Sequence, residues 1–402
     1  MPKKKNYGGQ DQEFIPAGNG DASGEYADDN GSNRHFTNFA KPVDNETKEA
    51  KQDDKAKEVD IDKKEYVEKF KNYIADKVPR LKGEKIDNLH EILEQANPRN
   101  VKIVADYFAK TGTKIVYRKN GFASYDPNEN LILYGECDFE IEKEKSWQRP
   151  GIAIFHEAGH GIDYTSNNKK YTLSFTVVDE KYNMTLNDSV RKEAKDLVGK
   201  MKRNDFVEYF KNKTKPAIYE EELEKACNEA GISKEKYKEF DIKFEEDERE
   251  IKKIVYEKLR ESGLVVKWYN NEISKDKFFQ SSEQLKKEVM NDFFPNAMKS
   301  IVNKHKEIKE KVKKGTEYRW SNSFGTLSDV VQGANSWPYG TLGPGHTASY
   351  FKSRPYLLGN EFFAGAFAAI AMNPEEEKVL REYMPRSMEI LDNLLKNHVE
   401  GK

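Results

Sequence analysis

Between Gly151 and Tyr164 the chain reads GIAIFHEAGHGIDY. Ile152, Ile154 and Phe155 make this an apolar run, and Pro150 suits the first turn of a helix. The stretch therefore predicts a helix packed against other structure. Ala158 and Gly159 are small and allow a close approach to a neighbour. His156, Glu157 and His160 form the pattern H-E-x-x-H, and residues four apart lie one turn above each other on a helix face. Any fold that packs this helix must also accommodate two imidazoles and a carboxylate on it.

Two imidazoles so placed can grip one zinc ion. Glu157 lies about 100° round the helix from His156 and roughly 60° from His160. It can hydrogen-bond a metal-bound water without ligating the metal. Zinc lowers the pKa of its water to roughly 7. A glutamate can take that proton as the water attacks a carbonyl, then protonate the leaving amine. With seven histidines in 402 residues, chance produces the pattern in about one sequence in a hundred. The alternative is two satisfied helix histidines.

A catalytic zinc takes a third protein ligand. Asp163 shares the histidine face but lies beyond the midpoint of the pair, which favours orienting an imidazole over direct ligation. A helix-end carboxylate bonded to backbone is the alternative. Glu361 fits better as the ligand. It opens an otherwise apolar helix, NEFFAGAFAAIA, where a carboxylate needs a partner. A metal is one partner and the helix dipole is another. His346, Tyr350 and Tyr356, in the loop before Glu361, are candidates for stabilising an oxyanion, and each is equally readable as a packing residue.

Residues 1–60 are rich in Gly, Asn, Asp and Lys and poor in aliphatics, and they predict a disordered arm. Residues 61–166 carry helical stripes (Tyr66, Phe70, Tyr73 and Ile74 on the first), then TGTKIVYR as a strand and FASYDPNENLILYG as a hairpin. His90 reads as structural. Residues 167–320 are densely charged helical patterns, interrupted at Pro216, Gly231, Gly263 and Pro295, and read as a helical insertion with solvated faces. His305 is expected to be exposed on one of them. Residues 321–402 lose that charge density and supply the Glu361 helix and two terminal amphipathic helices.

Lys plus Arg (68) nearly balances Asp plus Glu (70), a net charge of −2. Nothing in that balance calls for nucleic acid, and no apolar run is long enough to cross a membrane. Two cysteines, Cys137 and Cys227, exclude a disulfide framework and read as idle thiols. The basic start MPKKKNYGGQ lacks a following apolar region, so it is not a conventional secretory signal. A cytoplasmic or virion-associated location, or export by another route, stays open. Oligomeric state is not legible.

FHEAGHGIDY and NEFFAGAFAAIAMNPEEEKVLREYMPRSMEILDNLL together resemble the gluzincin-type metallopeptidase domain found at the C-terminus of anthrax lethal factor and in bacterial and phage relatives. Those relatives include zincin-like domains attached to head-morphogenesis proteins. The resemblance spans about 115 residues, roughly 111–166 and 340–395. It implies His156, His160 and Glu361 as zinc ligands and Glu157 as general base. Asp163 falls where the family often has Asp. Tyr350 corresponds to the oxyanion-stabilising tyrosine in a similar SY context, though further from the glutamate than in the family, while Tyr356 is nearer. Gly365 stands where lethal factor has an acidic residue. The implied fold class is α+β: a zincin-like core with a small twisted sheet over the active-site helix, while the large helical insertion and the N-terminal arm, read from composition, lie outside the resemblance. Its edge strand, Asn130 to Tyr134, would align an extended peptide by strand addition.

The leading functional reading is a zinc metalloendopeptidase acting on a peptide or protein. The alternative is a phage or mobile-element structural or interaction protein that carries a zincin-like module with little or no peptidase activity. A secreted or injected effector, with the insertion as its target-recognition part, differs from the first in purpose rather than chemistry. An intact Glu157 argues against a purely structural zinc site, which needs no base.

Overall fold

The computed structural model describes residues 62–119, 122–141, 149–164, 172–294, 296–337, 342–343, 345–352, 354 and 356–399. The expected arm, 1–60, lies outside the described residues. The fold is a mostly helical α+β structure with one small mixed sheet of three strands.

Three helices come first: α1 (Lys63–Lys77), α2 (Glu84–Gln95) and α3 (Pro98–Thr111). Asp62 caps α1 and Asn97 caps α3, each accepting from a first-turn backbone N–H. Phe70 and Ile74 of the predicted α1 stripe are buried. The chain then forms β1 (Lys114–Arg118), β2 (Ser124–Asp126) and β3 (Leu131–Gly135). The β2–β3 pair is the expected hairpin. The Asp126 carboxylate accepts from Asn128 N at 2.9 Å to make the turn.

The edge-strand expectation does not hold. Leu131–Gly135 is the central strand, pairing in parallel with β1 and antiparallel with β2. Ile132 and Tyr134 are buried, which puts the most apolar strand in the middle and leaves the more polar β1 and β2 as edges. Tyr134 donates its hydroxyl to Ile154 O at 3.2 Å, pinning the sheet to the next helix. That helix is α4 (Ile152–Tyr164).

Beyond it lie α5 (Leu173–Thr176), a two-residue ribbon of β4 (Val178–Asp179) and β5 (Met184–Thr185), and α6 (Leu186–Val198). A charged lobe follows: α7 (Arg203–Ala230), α8 (Lys234–Glu261), α9 (Leu264–Tyr269), α10 (Lys275–Phe293) and α11 (Asn296–Ser323). The chain returns through α12 (Gly325–Asn335), α13 (Ala348–Lys352), α14 (Leu357–Met372), α15 (Pro374–Tyr383) and α16 (Pro385–Leu394).

The main core joins α1–α4, the sheet, α6, the start of α7, α12, α14 and α16. The lobe has two small cores of its own, around Phe244 and Ile251 and around Leu223 and Val312. Two expectations for the lobe fail. Pro216 does not interrupt α7, which runs through it. Packing on α11 holds the helix there, with Trp320 Nε1 donating to Thr214 Oγ1 at 2.9 Å. His305 is buried rather than exposed, stacked on Tyr237 with centroids 4.6 Å apart and flanked by Phe240 and Phe244. Gly231 and Gly263 end α7 and α8 with φ of +65° and +69°. Pro295 lies outside the described residues.

Candidate metal centre

Helix α14 is buried along almost its whole length and lies against α4. Gly159 makes the approach possible, since a Cβ there would sit 2.9 Å from Ala364 Cα. Asn187 of α6 accepts from Gly359 N at 3.0 Å and fixes the start of α14. The packing places Glu361, from the first turns of α14, opposite the histidine face of α4.

His156 Nε2 and His160 Nε2 are 3.0 Å apart, and each is 3.5 Å from Glu361 Oε2. Ligands bound at about 2.0–2.1 Å in a tetrahedron stand roughly 3.3 Å from one another. The three atoms therefore form a triangle of the size that one tetrahedral metal ion with such bond lengths would fill. Glu361 Oε2 is buried and has no hydrogen-bond partner among the described residues, an expensive state for a carboxylate. Two nitrogens and a carboxylate oxygen are also a suitable donor set for zinc. The group can hold a metal ion.

The neighbours of Glu361 come from the returning chain. Tyr350, on α13, donates its hydroxyl to Glu361 Oε1 at 2.5 Å. Its ring stacks on His346 with centroids 4.1 Å apart. His346 is held by Asp329 of α12: Asp329 Oδ1 accepts from His346 N at 2.6 Å, and Oδ2 lies 2.9 Å from Nδ1. Gln332 donates to the His346 carbonyl. His346 Nδ1 is also 3.9 Å from Glu361 Oε2.

Charge follows from these contacts. Burial would lower the His346 pKa, but the Asp329 and Glu361 carboxylates override it and hold the imidazolium up to about 10. Burial would likewise raise Glu361, yet His346 and His160 hold it well below the usual carboxylate range. Glu157 is pushed up to about 7 by burial, with Glu361 and Asp138 adding to the rise and His156 opposing it.

The remaining predicted residues sit nearby but outside this cluster. Asp163 is fully buried and accepts from Ser174 N, Ser174 Oγ and Asn360 Nδ2 at 2.8, 2.6 and 2.8 Å. It ties α4 to α5 and α14, while His160 Nδ1 has no partner among the described residues. Tyr356 packs on Phe175 with centroids 6.2 Å apart. Gly365 faces Thr326 of α12, which occupies the space an acidic side chain would need.

Comparison with family models, with curated proteins and with solved structures gives no match. The geometry of the site therefore carries the functional argument.

Sequence reasoning missed Asp329 and Asn360. Asp329 had a usable signal, an acid in the apolar helix pattern TLSDVVQGA. Asn360 reads in sequence only as a residue bounding its helix, and its bond to Asp163 depends on how α4 and α14 pack.

Proposed function

We propose that the chain is a zinc-dependent metalloendopeptidase with a zincin-like core of the gluzincin type. The observation that carries this reading is the triangle of His156, His160 and Glu361 ligand atoms, with a buried carboxylate oxygen left for a cation. Glu157, a buried carboxyl next to His156 whose Oε2 has no hydrogen-bond partner among the described residues, is the base in this reading.

His156, His160 and Glu361 would hold the ion. Bound zinc supplies a Lewis acid and a water of lowered pKa. With the ion bound, Glu157 would take a proton from the attacking water and return one to the leaving amine. His346, kept cationic by Asp329, offers positive charge and a ring N–H to the oxyanion that develops on the carbonyl. Tyr350 orients Glu361 through its hydroxyl and supports the His346 ring by stacking. The antiparallel edge strand β2 takes the place first given to β3 as the partner for an extended peptide.

The test is metal analysis of the purified protein together with Glu157→Gln assayed on a mixed peptide library. The proposal expects bound zinc in both proteins and cleavage by the wild type alone. Folded protein that binds no zinc overturns it. Zinc bound without cleavage by the wild type supports the interaction-module reading instead.

A further inference from the structure

The charged lobe ends in a feature that the metal centre does not use. Helix α9, between α8 and α10, buries none of its six residues. Val266, Trp268 and Tyr269 are 59, 41 and 83% exposed, and Phe279 near the start of α10 is 52% exposed. The rings are ordered against one another. Trp268 stacks on Phe278 with centroids 4.9 Å apart and planes 19° apart, and Phe279 meets Phe278 edge-on at 5.9 Å. Grouped, outward-facing apolar side chains mark an interaction surface.

The surrounding charge indicates the partner. Lys267, Lys275 and Lys277 are exposed around these rings, and Lys275 lies 5.7 Å from the Phe279 centroid. Among the described residues none of the three joins an acidic side chain. Some other lysines of the lobe are paired: Lys234 and Lys238 with Glu220, Lys309 with Asp241, and Lys311 with Glu229. From Leu264 to Phe279, the stretch that carries the rings, the chain has three lysines against two exposed acidic residues, Glu272 and Asp276.

We propose that this tip docks on an anionic lipid bilayer surface. Trp and Tyr beside apolar side chains, rimmed by lysines, match the chemistry of a bilayer interface. The rings sit at the headgroups and the ammonium groups reach the anionic lipids. A six-residue helix lies on a bilayer rather than crossing it. The rings and lysines lie within Val266–Phe279, and the turn between α9 and α10 sets Trp268 against Phe278. The proposal is independent of the metal centre.

The experiment is co-sedimentation of the full chain with two kinds of vesicle: phosphatidylcholine alone, and phosphatidylcholine mixed with phosphatidylserine. Binding to the mixed vesicles, weakened by salt, is expected. The triple variant Lys267→Glu/Lys275→Glu/Lys277→Glu should lose affinity on the order of 100-fold. Trp268→Ala/Tyr269→Ala should lose about tenfold or more. Val266→Ser/Tyr269→Ser alters only exposed side chains and guards against misfolding of the Trp268 variant. Circular dichroism checks the fold of each protein. No binding to the mixed vesicles, or binding that all three variants retain in full, overturns the proposal. Self-association in solution that Trp268→Ala/Tyr269→Ala abolishes, without vesicle binding, also overturns it and assigns the patch to a second copy of the chain.

Discussion

Asp163 Oδ2 accepts a hydrogen bond from Asn360 Nδ2 at 2.8 Å, and both residues are buried. The bond joins the helix that carries His156 and His160 to the helix that carries Glu361. Ser174 supplies two further donors to the same carboxylate. Asn360→Ala removes one donor and loosens the register between the two halves of the site. Zinc affinity is expected to fall on the order of 10–100-fold, with Glu157 and all three ligands intact. Competition with a chromophoric chelator measures it, and wild-type affinity in Asn360→Ala would rule out the clamp.

His346 and Tyr350 are expected to separate kinetically. On the proposed mechanism His346→Ala and Asp329→Ala should lower kcat by about 10²–10³-fold with little change in zinc affinity, because the first removes the cation offered to the oxyanion and the second removes the carboxylate that holds it. Tyr350→Phe should mainly weaken zinc binding, since its hydroxyl is bonded to the Glu361 ligand. Steady-state kinetics and metal titration on the same preparations decide between these roles. The reverse pattern would return the oxyanion role to Tyr350.

Gly159→Ala tests the packing that assembles the site. The added Cβ would come within 2.9 Å of Ala364 Cα, a backbone atom that moves only with its helix. A stability loss of about 1–3 kcal/mol in denaturant unfolding is expected, together with weaker zinc binding. A neutral Gly159→Ala would show that α4 and α14 can separate without penalty.

The lobe should weaken in acid. His305 has its pKa lowered from 6.5, chiefly by burial and further by Lys309, while Asp241 pulls the other way. The unfolded chain therefore takes up a proton near 6.5 that the folded lobe resists. The stability present above that pH is lost as the pH falls below it. Amide exchange in α8 and α11 should accelerate in opening free energy terms between about pH 7.5 and about pH 5.5 in the wild type. His305→Phe should show less of this dependence, and an identical dependence in both proteins would falsify the assignment.

Local patterns were legible because they depend on residues close in sequence. H-E-x-x-H fixes two imidazoles on one helix face whatever the helix packs against. The hairpin was readable from Asp126-Pro127-Asn128, and the apolar setting of Glu361 marked it as a carboxylate in need of a partner. Strand order was not legible, because β1 pairs with β3 across an intervening strand and hairpin logic cannot see a parallel partner. Nor was the burial of His305, which follows from aromatic residues on α8 meeting α11.

By itself the sequence determined the candidate donors: two histidines and a glutamate on one helix, and an acid in a second apolar helix. Only the tertiary structure decided that these donors share one centre. It did so because Gly159 lets α14 come close enough to α4 for Glu361 Oε2 to stand 3.5 Å from both imidazoles. The structure also gave Asp163 to Asn360, placed Asp329 behind His346, and grouped the rings and lysines at the lobe's tip. Each of these is a contact between residues on different elements, and the free energy that selects such contacts comes from burying whole elements together rather than from any local pattern.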